Sequence, residues 1–113
     1  MVNISKRKGT AFETGCVEFL HSEGFNDAER RPQYGSNDKG DVKFSNYILE
    51  CKNTQKMDMA TGMNELEKEI VNANVSFGFL VFKRQRRSVR DAYVVMSFTQ
   101  LTRLLKLVGG DEN

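Results

Sequence analysis

Apolar residues recur with helical spacing in three segments of the chain, and each segment predicts a helix. The first helix covers residues 8–24, with Gly24 as its stop. The second covers residues 58–74 and the third covers residues 99–108. The apolar stripe of the second helix consists of Met59, Met63, Leu66, Ile70 and Ala73. Four charged residues of this helix are expected largely away from the stripe, namely Glu65, Glu67, Lys68 and Glu69.

Shorter apolar segments have the composition of strands. Residues 41–44 and 47–52 predict two strands that are joined by a tight turn at residues 45–46. The continuous apolar run 77–82 predicts a buried strand, and residues 92–96 predict another. The order of elements is therefore αββαββα, which predicts one mixed β-sheet with helices packed on it.

The chain is expected to form a single α/β (α+β) domain over residues 1–113, with a loop or irregular edge at 26–40 and a connection at 83–91. Hydrophobic residues make up 39% of the chain and charged residues 28%, which argues against a disordered protein. No apolar run approaches the roughly 20 residues of a membrane span. The N-terminus has no apolar segment after its basic residues, so we expect no secretory signal.

Two cysteines and one histidine narrow the possible chemistry. Cys16 and Cys51 lack the spacing of a zinc site, and both lie in segments that look buried. Buried free thiols are typical of a reducing compartment, so we expect a cytoplasmic protein. With His21 as the single histidine, a histidine-rich metal cage or a Ser–His triad is disfavoured.

The formal net charge is only +2, but the basic residues are clustered. Residues 6–8 form one cluster, and residues 83–90 form a second that contains no acidic residue. These clusters hold 8 of the 17 basic residues, which leaves a balance of −6 on the rest of the chain. A basic rim suits a polyanion such as DNA, because phosphate contacts release condensed counterions. The alternative is that residues 83–90 form only a solvated hairpin tip.

Acidic and basic residues of the predicted hairpin indicate a metal site. Since residues i and i+2 of a strand share a face, Glu50 and Lys52 project together, and the turn brings Asp41 near them. Carboxylate oxygens suit Mg²⁺ or Mn²⁺, which activates a bound water and stabilises charge on a phosphoryl oxygen. Lys52 would hold that water or neutralise the transition state. Glu13 would add a carboxylate through the water shell of the metal.

Each of these residues also has an ordinary structural explanation. An Asp…Glu-x-Lys pattern on exposed strands is commonly a cross-strand salt bridge. Glu13 would complete a capping box with Thr10, Gly40 would form a turn, and the Lys52 stem would lie along a sheet edge. The combination of these residues, rather than any one of them, favours chemistry.

Residues 6–56 resemble the PD-(D/E)xK nuclease superfamily, and most of all the small Holliday junction resolvases of archaea and phages. The matching segments are KRKGTAFE (6–13), GF (24–25), AERR (28–31), YGSNDKGDV (34–42) and ILECKNTQK (48–56). The resemblance implies a restriction-endonuclease-like core, a central mixed sheet flanked by helices in the order αβββαβ. The periodicity predicts most of these elements, but it shows no clear third strand before the long helix.

The resemblance also implies roles for single residues. Asp41, Glu50 and Lys52 match the metal-binding and catalytic triad, and Glu13 matches the helical carboxylate that completes the site. The implied metal ligands are Asp41, Glu50 and Glu13. Ser36 matches a mobile-loop serine near the scissile phosphate. The DNA-binding residues expected from the resemblance and from the basic clusters are Lys6, Arg7, Lys8, Ser36, Lys83, Arg84, Arg86, Arg87 and either Arg30 or Arg31.

The leading hypothesis is a Mg²⁺-dependent endonuclease that cuts four-way DNA junctions in recombination and repair, with Mn²⁺ as the other candidate metal. Two symmetric cuts require a homodimer, and the apolar faces of residues 59–73 or 98–108 would supply its interface. So compact a chain would suit a phage genome and would act in the host cell. The alternatives are a related nuclease for flaps, forks or single-stranded ends, and a DNA-binding module without catalysis.

Overall fold

The fold was obtained as a computed structural model that describes residues 4–31 and 38–109, with side chains from residue 7 onward. It contains a five-stranded mixed sheet and three α-helices. The sequence predicts the mixed sheet, the three helices and four of the five strands. The helices are α1 (Ile4–Ser22), α2 (Met59–Ala73) and α3 (Phe98–Leu107). The strands are β1 (Glu29–Arg30), β2 (Val42–Phe44), β3 (Tyr47–Lys52), β4 (Phe77–Phe82) and β5 (Tyr93–Val95). None of the described helices is long and apolar enough to cross a membrane.

The strands follow the order β1-β2-β3-β4-β5 across the sheet, and all neighbours are antiparallel except β3 and β4. The first six elements run αβββαβ. The third strand that the periodicity did not reveal is β1, which lies inside the predicted loop 26–40. It consists of two exposed charged residues, so its strand character comes only from pairing with β2.

Two helices cover opposite faces of the sheet. Because side chains alternate along β3, Leu49 faces α1 and packs near Phe12 and Cys16, whereas Ile48 faces α2 and packs near Leu66. The α1 side of the core is built from apolar residues. The α2 side has a smaller apolar cluster, and the buried carboxylates described below lie beside it.

α1 begins four residues earlier than predicted, at Ile4, so Thr10 lies inside the helix. The expected capping box of Thr10 and Glu13 is therefore wrong, and the Glu13 side chain is available for other contacts. The predicted stop at Gly24 is confirmed, because its φ of 98° is left-handed backbone that glycine adopts without strain. The N–H of Phe25 donates to the carbonyl oxygen of Leu20 and closes the helix end.

α2 starts one residue after its cap, Asp58, whose carboxylate accepts a hydrogen bond from the N–H of Thr61. Its apolar stripe packs against the sheet, where Leu66 is fully buried against β4. A Cβ atom at Gly62 would lie 2.7 Å from Leu80, and one at Gly78 would lie 2.6 Å from Ile70. The helix therefore approaches the sheet more closely than larger residues would permit.

Candidate active site

The hairpin places two acidic side chains next to each other, as predicted. β2 pairs with β3 so that Val42 lies opposite Leu49, which puts Asp41 beside Glu50. The exposed fractions are only 8% for Asp41 and 4% for Glu50. One Asp41 oxygen, Oδ2, accepts a hydrogen bond of 2.8 Å from the N–H of Cys51. This bond fixes the carboxylate at the point where the two strands run side by side.

Gly40 sets the direction in which Asp41 enters the strand. Its φ is 92°, a left-handed value that other residues adopt only with strain. A Cβ atom there would also lie 3.2 Å from Ile48 and 3.3 Å from the carbonyl oxygen of Leu49. The turn that the sequence offered as an alternative explanation of Gly40 is therefore present, and it is part of how the site is built.

Lys52 lies on the same face as Glu50, two residues further along β3. Its Nζ is 4.0 Å from Oε2 of Glu50 and 2.9 Å from Oε2 of Glu65 on α2. Partial burial by itself lowers the pKa of Lys52, but the hydrogen bond to Glu65 and the charges of both carboxylates more than offset this, so the pKa is raised. Lys52 is thus a fixed ammonium cation near neutral pH.

Glu13 reaches the site from α1. Its Oε1 is 3.3 Å from Nε of Arg30, and its charge interacts with that of Asp41. Burial and Asp41 raise the pKa of Glu13, while Arg30 opposes them. Glu13 is therefore near enough to Asp41 for their charges to interact, but among the described residues Glu13, Asp41 and Glu50 do not form a group of three ligand atoms within 4.8 Å of one another.

A second set of carboxylates, missed by the sequence analysis, adjoins Glu50. Ligand oxygens of Asp38, Glu50 and Glu69 lie within 4.8 Å of one another, and these residues could hold a metal ion. Glu50 thus belongs both to this trio and to the predicted ligand set of Asp41, Glu50 and Glu13. The expectation that Glu69 lies away from the apolar stripe is wrong, since its exposed fraction is 2%.

The sequence contained a signal for Glu69. It follows the buried Leu66 by three residues and Gly62 by seven, a spacing that returns to the same side of a helix. Its neighbours Glu67 and Lys68 are exposed, so the acidic run as a whole looks like a solvated face.

Burial dominates the electrostatics of this region. It raises the pKa values of Asp41, Glu50 and Glu69 to about 8 each, starting from 3.8 for the aspartate and 4.5 for the glutamates. Contacts between the carboxyl groups act in both directions. Glu50 raises the pKa of Asp41, whereas Asp41 lowers and Glu69 raises the pKa of Glu50. At Glu69, the contact with Glu50 lowers the pKa and the contact with Asp38 raises it. The Cys51 N–H lowers the pKa of Asp41, and Lys52 lowers that of Glu50. A cation would relieve the repulsion that remains.

The two cysteines are free thiols on the other face of the sheet. Sγ of Cys51 donates to Sγ of Cys16 at 4.0 Å. Cys16 is buried as expected, but Cys51 is only half-buried. The contact with Cys16, together with burial, raises the pKa of Cys51 well above its ordinary value. Cys51 therefore remains a neutral thiol, and the convergent ligands of this region are oxygen atoms, as hard divalent cations prefer.

Hydrogen bonds connect the basic clusters to the same end of the sheet. The side chain of Asn53, directly after β3, donates to the carbonyl oxygen of Lys8 at 3.4 Å and accepts from Gln85 at 3.0 Å. The N–H of Lys83 donates to the carbonyl oxygen of Lys52 at 2.9 Å. The start of α1 and the loop after β4 therefore flank the strand end that carries Lys52.

The individual basic side chains differ in their contacts. Arg7, Lys8 and Arg86 are exposed, and Arg31 is half-buried. Several others are held by intramolecular contacts. Lys83 donates to two loop carbonyls, Arg84 lies over the Tyr93 ring, Arg87 pairs with Asp91, and Arg90 lies over the Phe19 ring. Ser36 and the side chain of Lys6 lie outside the described residues.

Comparison with known proteins found no relative of this chain. No family model matches the chain, and neither the curated proteins nor the solved structures contain a match. The geometry of this site is therefore the basis on which a function can be assigned.

Proposed function

We propose that this protein is a metal-dependent endonuclease that hydrolyses phosphodiester bonds in branched DNA. One observation carries the proposal. Two buried carboxylates, Asp41 and Glu50, lie side by side, with the ammonium group of Lys52 4.0 Å from Glu50. Acidic groups packed this closely are costly unless a cation or protons neutralise them, so the cluster is easier to explain as a binding site than as a structural element.

The residues present suit Mg²⁺ or Mn²⁺. Asp41 and Glu50 would hold the ion, and Glu13 would support it from α1. A hard divalent cation in this position supplies an activated water and stabilises negative charge on a phosphoryl oxygen. Lys52, already protonated, places a positive charge where negative charge accumulates on the phosphate. Because its pKa is raised, Lys52 serves as this electrostatic partner and not as a general base.

Nucleic acid is the polyanion proposed as substrate because exposed basic residues surround the site. Arg7 and Lys8 lie at the start of α1, and Arg86 lies on the loop after β4, which Gln85 ties to the end of β3 through Asn53. These cations would contact phosphates without reading bases. Arg30, more exposed than Arg31, would reach phosphate only by giving up its ion pair with Glu13.

A junction needs two cuts, so we propose that two copies of the chain act together. The α2 stripe from Met63 to Ala73 is already packed on the sheet, and only Met59 at its start is exposed, so α3 is the better candidate interface. No residue of α3 is buried, and the exposed fractions are 80% for Phe98 and 70% for Leu107. An amphipathic helix with its apolar side in water is typical of an interaction surface.

The direct test compares cleavage of a synthetic four-way junction, a fork, a flap, linear duplex and single-stranded DNA in Mg²⁺, in Mn²⁺ and in EDTA. We expect metal-dependent cleavage of the junction, and its loss in Asp41→Asn. Asp27→Asn is the matched control, because Asp27 is exposed and its Oδ2 accepts a hydrogen bond from the Ser45 N–H at the hairpin turn. Junction cleavage that survives Asp41→Asn would overturn the proposal.

The substrate panel also separates the alternatives. Faster cleavage of flaps, forks or single-stranded ends than of junctions would support the proposed hydrolysis but would show that the junction is not the preferred substrate. Binding of DNA in EDTA, with no cleavage of any substrate in either metal, would instead indicate a binding module.

A further inference from the structure

Glu69 is a buried acidic side chain that the proposed nuclease site does not use. Its exposed fraction is 2%, although it belongs to a helix whose neighbouring charges face solvent. Within the described part of the chain, neither of its oxygens, Oε1 and Oε2, has a hydrogen-bond partner. A buried carboxylate beside other acidic groups is strongly unfavourable, so a ligand or a proton must compensate it.

The oxygens around Glu69 have the spacing of a cation site. Those of Asp38, Glu50 and Glu69 lie within 4.8 Å of one another. Divalent cations of the Mg²⁺, Mn²⁺ and Ca²⁺ class hold oxygen ligands at about 2.0–2.6 Å, so ligands on opposite sides of an ion are about 4–5 Å apart. The spacing of these three oxygens is therefore compatible with an ion of this class between them.

The three ligands come from elements whose positions are fixed. Asp38 is held by a 2.9 Å hydrogen bond from the Gly40 N–H to its Oδ1, and its carbonyl oxygen accepts from the Asn72 side chain of α2 at 2.9 Å. Glu50 lies within β3, and Glu69 follows the fully buried Leu66 on α2. The loop before β2, the strand β3 and the helix α2 thus place their carboxylates close together.

We propose that Asp38, Glu50 and Glu69 form a second divalent-cation site, which shares the Glu50 carboxylate with the ion at Asp41. The inference deepens the proposed function and depends on it for the first ion, whereas the second site stands on its own geometry. Glu50 would bridge the two positions, and Glu69 would be a metal ligand contributed by α2. The second ion would compensate the Glu69 carboxylate and hold α2 against the catalytic strand.

The test is a titration of the metal-free full chain with Mn²⁺ at pH 7.5, with free Mn²⁺ measured by electron paramagnetic resonance. We expect two ions per chain for the wild type. Glu69→Gln and Asp38→Asn should each weaken one of the two by at least about 10-fold. Glu67→Gln, two residues away on the exposed side of α2, should bind both ions like the wild type.

The expected pattern separates this inference from the nuclease proposal. Asp41→Asn should lose the other ion and keep the one at Glu69. Two ions bound without any DNA cleavage would contradict the nuclease and support the second site. One ion or none in the wild type, or wild-type binding in both Glu69→Gln and Asp38→Asn, would overturn the second site. Circular dichroism of both variants verifies that they are folded.

Discussion

The two faces of the sheet are both covered by a helix, yet they are built on different principles. Under α1, Phe12, Cys16, Val42 and Leu49 form an apolar core. Under α2, the apolar cluster around Leu66 adjoins the buried carboxylates of Glu50 and Glu69. Burial of apolar side chains stabilises the fold, whereas burial of like charges opposes it. The α1 face therefore stabilises the structure, whereas the α2 face buries acidic groups that oppose folding and that could hold a cation.

The largest expected effect is the pH dependence of the metal-free protein. Asp41, Glu50 and Glu69 have pKa values of about 8 when folded, so between about pH 4 and pH 8 the folded state keeps protons that the unfolded chain releases. The free energy of unfolding therefore falls as pH rises through this range. Thermal unfolding in EDTA should give a Tm at least about 10 °C lower at pH 8.5 than at pH 5.

Two comparisons sharpen this result. Glu50→Gln cannot ionise, so the Tm of this variant should depend less on pH. Saturating Mn²⁺ should restore stability at pH 8.5, because an ion that binds only the folded state stabilises it. A Tm in EDTA that rises from pH 5 to pH 8.5 would contradict the electrostatic description of the α2 face.

The apolar face is tested by Phe12→Ala, which removes a ring that is 4% exposed in the cluster under α1. The lost contacts and the remaining cavity should lower the free energy of unfolding by about 3–5 kcal/mol. This cost, measured by urea unfolding, should be similar at pH 5 and pH 8.5, in contrast to the behaviour of the α2 face. If the difference in the free energy of unfolding between Phe12→Ala and the wild type depended strongly on pH, the two faces of the sheet would not be energetically independent.

The close approach of α2 is tested by Gly78→Ala. The added methyl group would lie 2.6 Å from Cγ1 of Ile70 and would push the helix away from β4. We expect a loss of about 1–3 kcal/mol in urea unfolding and weaker Mn²⁺ binding, since Glu69 moves with the helix. Gly9→Ala, where the new methyl group would meet no atom within 4 Å beyond the adjacent residues and backbone of its own helix, is the comparison. Equal stability of the two variants would mean that the contact is not needed.

The smallest expected change in stability is that of Glu65→Gln, which removes the charge paired with Lys52 at 2.9 Å. Both side chains are partly exposed, so the loss should be no more than about 1 kcal/mol. The cleavage rate should respond more clearly, because Lys52 becomes free to turn away from Glu50. Single-turnover kinetics with Glu67→Gln as the comparison measure this effect, and equal rates would show that Glu65 does not position Lys52.

The hairpin was predictable because its signals are local. Alternation places Glu50 and Lys52 on one side of β3, and a two-residue turn then fixes the position of Asp41 across from them. The sheet and its helices likewise follow from apolar periodicity. β1 could not be found in this way, because Glu29 and Arg30 carry no apolar pattern and are defined by their partner strand.

The second carboxylate set depended on long-range packing. Asp38 precedes β2 by several residues, and its position is set by the Gly40 turn and by Asn72 on a distant helix. Glu69 was predicted to lie away from the apolar stripe because its neighbours in the sequence are charged, although its three-residue spacing from Leu66 places it on the buried side of the helix. The prediction that Glu13 completes a capping box with Thr10 was wrong, because α1 already begins at Ile4 and both residues lie inside the helix.

The central claim is that the carboxylates at the hairpin and on α2 bind divalent cations for phosphodiester hydrolysis. The most direct measurement is a crystal structure of the protein grown with Mn²⁺, with anomalous scattering recorded at the manganese edge. We predict an anomalous peak about 2.0–2.6 Å from a carboxylate oxygen of Glu50, the ligand shared by both proposed positions. A well-ordered Glu50 with no manganese beside it, in crystals of protein that cleaves junction DNA in Mn²⁺, would contradict the claim.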